Sequence, residues 1–164
     1  MHSPHIVLSI VIRNGHFLLK VENEGDTIAH HIRVKFDDRL KELMFCKHLQ
    51  MSYNRMERAT YSVNAHSSKY FYLWPIYGQS TITYFDTNEH FPAKKFQEWV
   101  ESNADEKIVF ECIGDDDIHV LHHVRLGDCL GYTASIIDDE VSAILQLNKT
   151  MDQTNKLLSR HCPC

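Results

Sequence analysis

A mainly β fold with antiparallel pairing follows from three features of the sequence. Asn14-Gly15 stands between the apolar runs Ile6–Ile12 and Phe17–Val21, the signature of a tight hairpin turn. From Thr27 to Phe36, Ile28, His30, Ile32 and Val34 alternate with Ala29, His31, Arg33 and Lys35, the period of a half-buried strand. Short runs rich in Val, Ile, Tyr and Phe then recur to the end of the chain, divided by polar turns. The expected architecture is an antiparallel barrel, closed or paired, with two or three peripheral helices in a single domain over residues 1–164.

The elements follow in order. After the hairpin, Glu22–Asp26 is a polar turn into the strand of Thr27–Phe36. Asp37 and Asp38 cap a helix over residues 39–51, and residues 52–58 (SYNRMER) read as a loop. Strands are expected at Ala59–Ala65, Tyr70–Tyr77 and Ser80–Phe85, with Pro75 marking an edge strand or a bulge. Residues 88–92 form a helix entrance with Pro92 at the first helical position, and Phe96, Trp99 and Val100 share the buried face of that helix. Lys107–Ile113, Ile118–Leu126, Leu130–Ile137 and Val141–Leu147 are further strands, set apart by the acidic turns Asp115–Asp117 and Asp138–Glu140. Residues 148–161 follow with Leu157 and Leu158 as their apolar points.

At 164 residues the chain is long enough to bury a core without metals or disulfides. A net charge of −5 argues against a broad basic surface for long nucleic acid, while leaving room for one small anion in a local basic pocket. Five cysteines, odd in number and widely spaced, suit reduced thiols. The run Ile6–Ile12 is broken by Ser9 and lacks both a basic region before it and a small-residue cleavage site after it, so it reads as a strand rather than a leader. No stretch approaches membrane-spanning length, and the expected location is the cytosol.

Twelve histidines give the chain ample acid–base capacity near neutral pH. Three constellations compete for that role. Gly127-Asp128-Cys129 offers a thiol after a tight turn, which with His30 or His31 and Asp37 suggests a chymotrypsin-like cysteine protease. Leu130 stands where such enzymes keep a glycine, and the alternative is a buried, inert thiol. His119, His122, His123 and Cys112 are metal-ligand types, but no CxxC or HExxH spacing accompanies them, so neither metal nor cofactor is expected. The terminal His161-Cys162-Pro163-Cys164 reads as a frayed tail. His90, Lys94 and Lys95 lie within about one turn of one another at a helix start, a corner that suits an anion. There an imidazole activates a hydroxyl and an ammonium neutralises a leaving oxygen, with Arg33, Lys35 and Arg125 as further phosphate contacts. The alternative is a solvated Lys-Lys face.

The stretch His123-Val124, Gly127-Asp128-Cys129, Ala134, a polar turn with Glu140 and a closing apolar strand resembles the poxins, nucleases of poxviruses, baculoviruses and insects that degrade 2′,3′-cyclic GMP–AMP. The likeness is strongest over residues 118–147, and Tyr61-Ser62-Val63 and Tyr70-Phe71-Tyr72 fall where the family has an aromatic strand pair. The resemblance implies a barrel of chymotrypsin-like viral protease type and a metal-independent reaction. A ribose 2′-hydroxyl, activated by a histidine, a tyrosine and a lysine, attacks the adjacent 3′–5′ phosphodiester. His5, or His2, is the counterpart of the family histidine. Matching Lys95 to the family lysine puts Phe91 at the tyrosine position, and matching Lys94 puts His90 there, where imidazole replaces the phenol as base. The resemblance further implies a homodimer acting in the host cytosol against innate immune signalling by that messenger, or a relative without catalysis that binds a nucleotide or a host protein. A cysteine protease using Cys129 with His31, and a non-catalytic β-barrel interaction protein, stand as alternatives.

Overall fold

Alternating apolar residues turn Leu8, Phe17, Leu19 and Val21 inward from a hairpin of β1 (Ile6–Arg13) and β2 (His16–Asn23). The computed structural model describes residues 2–13, 15–75, 81–84, 89–132, 150–151 and 153–154. Gly15 takes φ 74° at the tip, a conformation open to glycine at no steric cost; Asn14 lies outside the described residues. The chain divides into two compact units, Met1–Thr133 and Ala134–Cys164, and every strand described belongs to the first.

Three further strands and two helices follow: β3 (Ala29–Phe36), α1 (Asp38–Leu43), α2 (Lys47–Arg58), β4 (Tyr61–Val63) and β5 (Ser67–Pro75). The remaining elements are β6 (Thr81–Tyr84), β7 (Glu89–Pro92), α3 (Ala93–Ser102), β8 (Lys107–Ile113), β9 (His119–Arg125) and a 3-10 helix over Leu126–Tyr132. All pairing among the described residues is antiparallel: a three-stranded sheet β1-β2-β5, a four-stranded sheet β4-β3-β8-β9, and a separate β6-β7 ladder. The fold is mainly β. Among the described residues no ladder joins the two larger sheets, and β1 and β9 are both edge strands.

The inner faces share one core. Leu19 and Trp74 from the first sheet meet Val34, Phe36 and Phe110 from the second, and α2 fills the gap with Leu49 and Tyr53. Tyr53 stacks on Phe36 at 4.9 Å between centroids and donates its hydroxyl to the Leu73 carbonyl at 2.6 Å. Asn23, a buried polar side chain, donates to the Thr27 and Val63 carbonyls and accepts from the His5 and Gly25 amides.

Several expectations need correction. Residues 52–58 are helical, not a loop, because Leu49, Tyr53 and Met56 continue one apolar stripe. The helix expected over residues 39–51 is two helices. Asp37 caps α1 through Arg39 N, Met44 is extended, and the Gln50 amide takes up the Lys41 and Met44 carbonyls at the break. Residues 89–92, expected as a helix entrance, form β7, whose ladder with β6 supplies the backbone partners a cap would have provided. Leu130, expected to begin a strand, lies in the 3-10 helix. Gly127 explains that turn: its amide donates to the Ala104 carbonyl at 2.8 Å, and an added Cβ would stand 2.7 Å from the same oxygen. Pro75 ends β5, which pairs with β2 alone and shifts register at Phe17/Leu18, so both readings of Pro75 hold among the described residues. The strand expected at 141–147 and the Cys162 and Cys164 tail lie outside the described residues.

Candidate functional site

The positions of the expected site residues follow from strand register. His5 precedes β1 beside Asn23, its Nδ1 3.4 Å from a Glu24 carboxylate oxygen. α3 packs at the other end of that hairpin, where Phe96 meets Phe17, Trp74 and Pro75. Six strand residues, about 20 Å, separate Asn23 from Phe17. Lys94 and Lys95 on α3 therefore do not converge with His5. Lys94 is exposed and pairs with Glu98 at 3.7 Å, one turn along the helix. His90 is described in its backbone, on β7 opposite Thr83.

Arg33, Lys35 and Arg125 do share a surface, the outer face of the four-stranded sheet. Across the strands, Arg33 stands in register with Ile113 and His119, and Lys35 with Glu111 and Leu121. Arg125 stands opposite Lys107, four residues further along β8 and about 13 Å from the Lys35 level. Arg33 and Lys35 are thus neighbours, while Arg125 belongs to the other end of the sheet. Its guanidinium is held by Asp128 at 3.3 Å and Asp105 at 3.7 Å.

His31 takes φ 51° at the irregularity in β3 and binds Asp115 with Nδ1 and Oδ2 2.6 Å apart. That contact sits at the closed end of the β8–β9 hairpin, about 16 Å of strand from Val124, which lines a cleft with Cys129. Cys129 is 3% exposed, and burial, with the Asp128 carboxylate beside it, pushes its thiol up to about 12. A neutral thiol without its expected histidine is not an activated nucleophile.

The arrangement with chemical potential lies between the two sheet edges. β1 and β9 approach each other and leave a cleft of about 270 Å³ lined by Ser9, Ile10, His122, His123, Val124, Asp128 and Cys129. β9 is an edge strand among the described residues, so the inward His122 and the outward His123 both border this opening. Burial lowers His122 below the ordinary histidine value, and charge on His123 adds to the shift. His122 is consequently neutral at pH 7 and able to accept a proton. Ser9 adds a hydroxyl, and Asp128 bridges the cleft to Arg125.

The sequence carried traces of this site. Ser9 interrupts an otherwise apolar strand, and His122-His123 were visible as a pair. Their convergence depends on residues more than 110 positions apart and has no local signal. Among the described residues no group of three or more His, Cys, Asp or Glu side chains is arranged to hold a metal, and no helix is long and apolar enough to cross a membrane. No protein-family model, curated protein or solved structure matches the chain.

Proposed function

We propose that the chain binds and cleaves a small phosphodiester without a metal, as the poxin resemblance implies, using the cleft between β1 and β9. The observation that carries this reading is the pair His122 and His123 bordering one cleft, with Arg125 hydrogen-bonded to Asp128 of its lining. Two imidazoles supply what 2′-hydroxyl attack requires. Neutral His122 accepts the 2′-hydroxyl proton as the 2′-oxygen bonds to phosphorus. The bond from phosphorus to the 5′-oxygen breaks, and His123 as general acid gives a proton to that leaving oxygen, leaving a 2′,3′-cyclic phosphate. Arg125, turned from Asp128 to the ligand, neutralises the charge that gathers on the phosphoryl oxygens.

In this reading the substrate is 2′,3′-cyclic GMP–AMP, the setting is the cytosol of an infected host, and the protein works as a homodimer. The two sheets are then parts of a chymotrypsin-like, poxin-like barrel, which the approach of edges β1 and β9 supports. Incubating the purified chain with 2′,3′-cyclic GMP–AMP in chelator, followed by chromatography and equilibrium dialysis, tests it. Linear product is expected; neither product nor binding refutes it. Light scattering tests the dimer.

A further inference from the structure

The size and surroundings of the cleft bear on what enters it. This inference rests on the reading of the cleft as a phosphodiester site. At about 270 Å³ the cleft falls just below the ~300–1,000 Å³ typical of ligand pockets, room for one nucleotide rather than two. A substrate with more than one nucleotide must therefore leave the rest outside. The outward face of β9 is where it would lie, because His123 belongs to both the cleft and that face.

Next to His123 on this face stand Arg125 and, opposite it in register, Lys107, with Cα atoms about 5 Å apart. Lys107 is exposed and makes no ion pair among the described residues, unlike Lys20, Arg39, Lys41 and Lys94, each of which faces a carboxylate. Arg125 is restrained by Asp105 and Asp128, both of them exposed. The acidic residue further along the face, Glu111, is already engaged with His119 at 2.7 Å. Lys107 therefore stands without a carboxylate partner among the described residues where a chain emerging from the cleft would carry its next phosphate, beside an Arg125 shared between two exposed aspartates.

We infer that the substrates of this cleft extend beyond a cyclic dinucleotide to a single-stranded oligoribonucleotide, one nucleotide of which enters the cleft while the adjoining phosphates lie on Lys107 and on Arg125 turned from its aspartates. The strand is open at both ends, so it passes from a small recess onto a flat face. The chemistry requires a 2′-hydroxyl next to the scissile phosphate, which ribose supplies and deoxyribose lacks.

The test uses the full chain in chelator with a fluorescein-labelled eight-nucleotide oligouridylate, its 2′-deoxy counterpart, and 2′,3′-cyclic GMP–AMP in parallel. The ribo-oligomer is expected to bind and be cut to fragments ending in cyclic phosphate, and the deoxy-oligomer to bind uncut. Binding should weaken with salt with a slope of about −1.4 for two phosphate contacts. Lys107→Glu should weaken it about tenfold and flatten that slope, while Lys69→Glu on the other sheet leaves both unchanged. Turnover of the cyclic dinucleotide with no binding of the oligomer overturns this inference and leaves the site reading intact. Inertness toward all three probes overturns both. Oligomer binding that is indifferent to Lys107→Glu, or matched by an oligoglutamate peptide, overturns the route over Lys107.

Discussion

Asn23 Nδ2 donates to the carbonyl of Val63 at 3.1 Å, a bond spanning 40 residues that ties the end of β2 to β4. The same side chain holds the Thr27 carbonyl and the His5 and Gly25 amides. Replacing it with alanine removes the buried bond to the Val63 carbonyl of β4 and the part-buried bonds to the Thr27 carbonyl and the His5 and Gly25 amides. Asn23→Ala is expected to lose about 3 kcal/mol in urea unfolding, at the upper end of the ~1–3 kcal/mol of one orphaned group because three further bonds are lost with it. Asn23→Asp should also destabilise, because a carboxylate cannot donate to Val63.

The buried thiols offer a second prediction. Cys46, Cys112 and Cys129 are buried, and burial pushes both Cys112 and Cys129 up to about 12. Peptide-level mass spectrometry after brief alkylation at pH 7.5 should find all three unmodified in the native chain and modified after unfolding. Fast native labelling of Cys129 would restore the cysteine-protease reading that its distance from His31 opposes.

Stability should fall in mild acid. Burial lowers His16 and, together with charge on His123, His122 below the ordinary 6.5. The unfolded chain then binds protons more readily than the folded one below that value. The stability these rings contribute is complete above about pH 6.5 and lost as pH falls toward their folded values. Compared with wild type, His16→Gln should lose less stability between pH 7.5 and 5.5. The difference should be under about 1 kcal/mol, because a half-buried ring is partly screened. Identical profiles would contradict this.

Much of the β framework was legible because its signals are local. The alternation in residues 32–36 and the apolar runs on either side of Gly15 each determine an element by themselves. The irregularity at His31 instead turns Ala29 inward and leaves Ile28 and His30 exposed, against the alternation expected from residue 28. Errors arose where tertiary partners decide. Residues 52–58 look polar, yet Tyr53 and Met56 find core only because β3 and β5 lie beneath α2. Residues 89–92 carry helix-start chemistry, but a partner strand was waiting in β6. The site divides in the same way. Arg33, Lys35 and Arg125 fall on one face because strand periodicity is readable, whereas the distance between His5 and α3 depends on which end of the hairpin each packs against. The approach of Ser9 to His122 is a matter of two sheet edges, which no window of sequence contains.

The central claim is that the cleft between β1 and β9, rather than the start of α3, is where a phosphodiester reacts. Turnover of 2′,3′-cyclic GMP–AMP in chelator by wild type, His122→Asn and the double variant Lys94→Ala/Lys95→Ala tests it most directly. The expected result is measurable turnover by wild type, a loss of at least about 100-fold in His122→Asn, in line with removal of a general base, and near wild-type turnover in the double lysine variant. Full activity in His122→Asn with loss in the lysine variant would contradict the account and return the site to α3, and no turnover or binding of this messenger by wild type would contradict the proposed function.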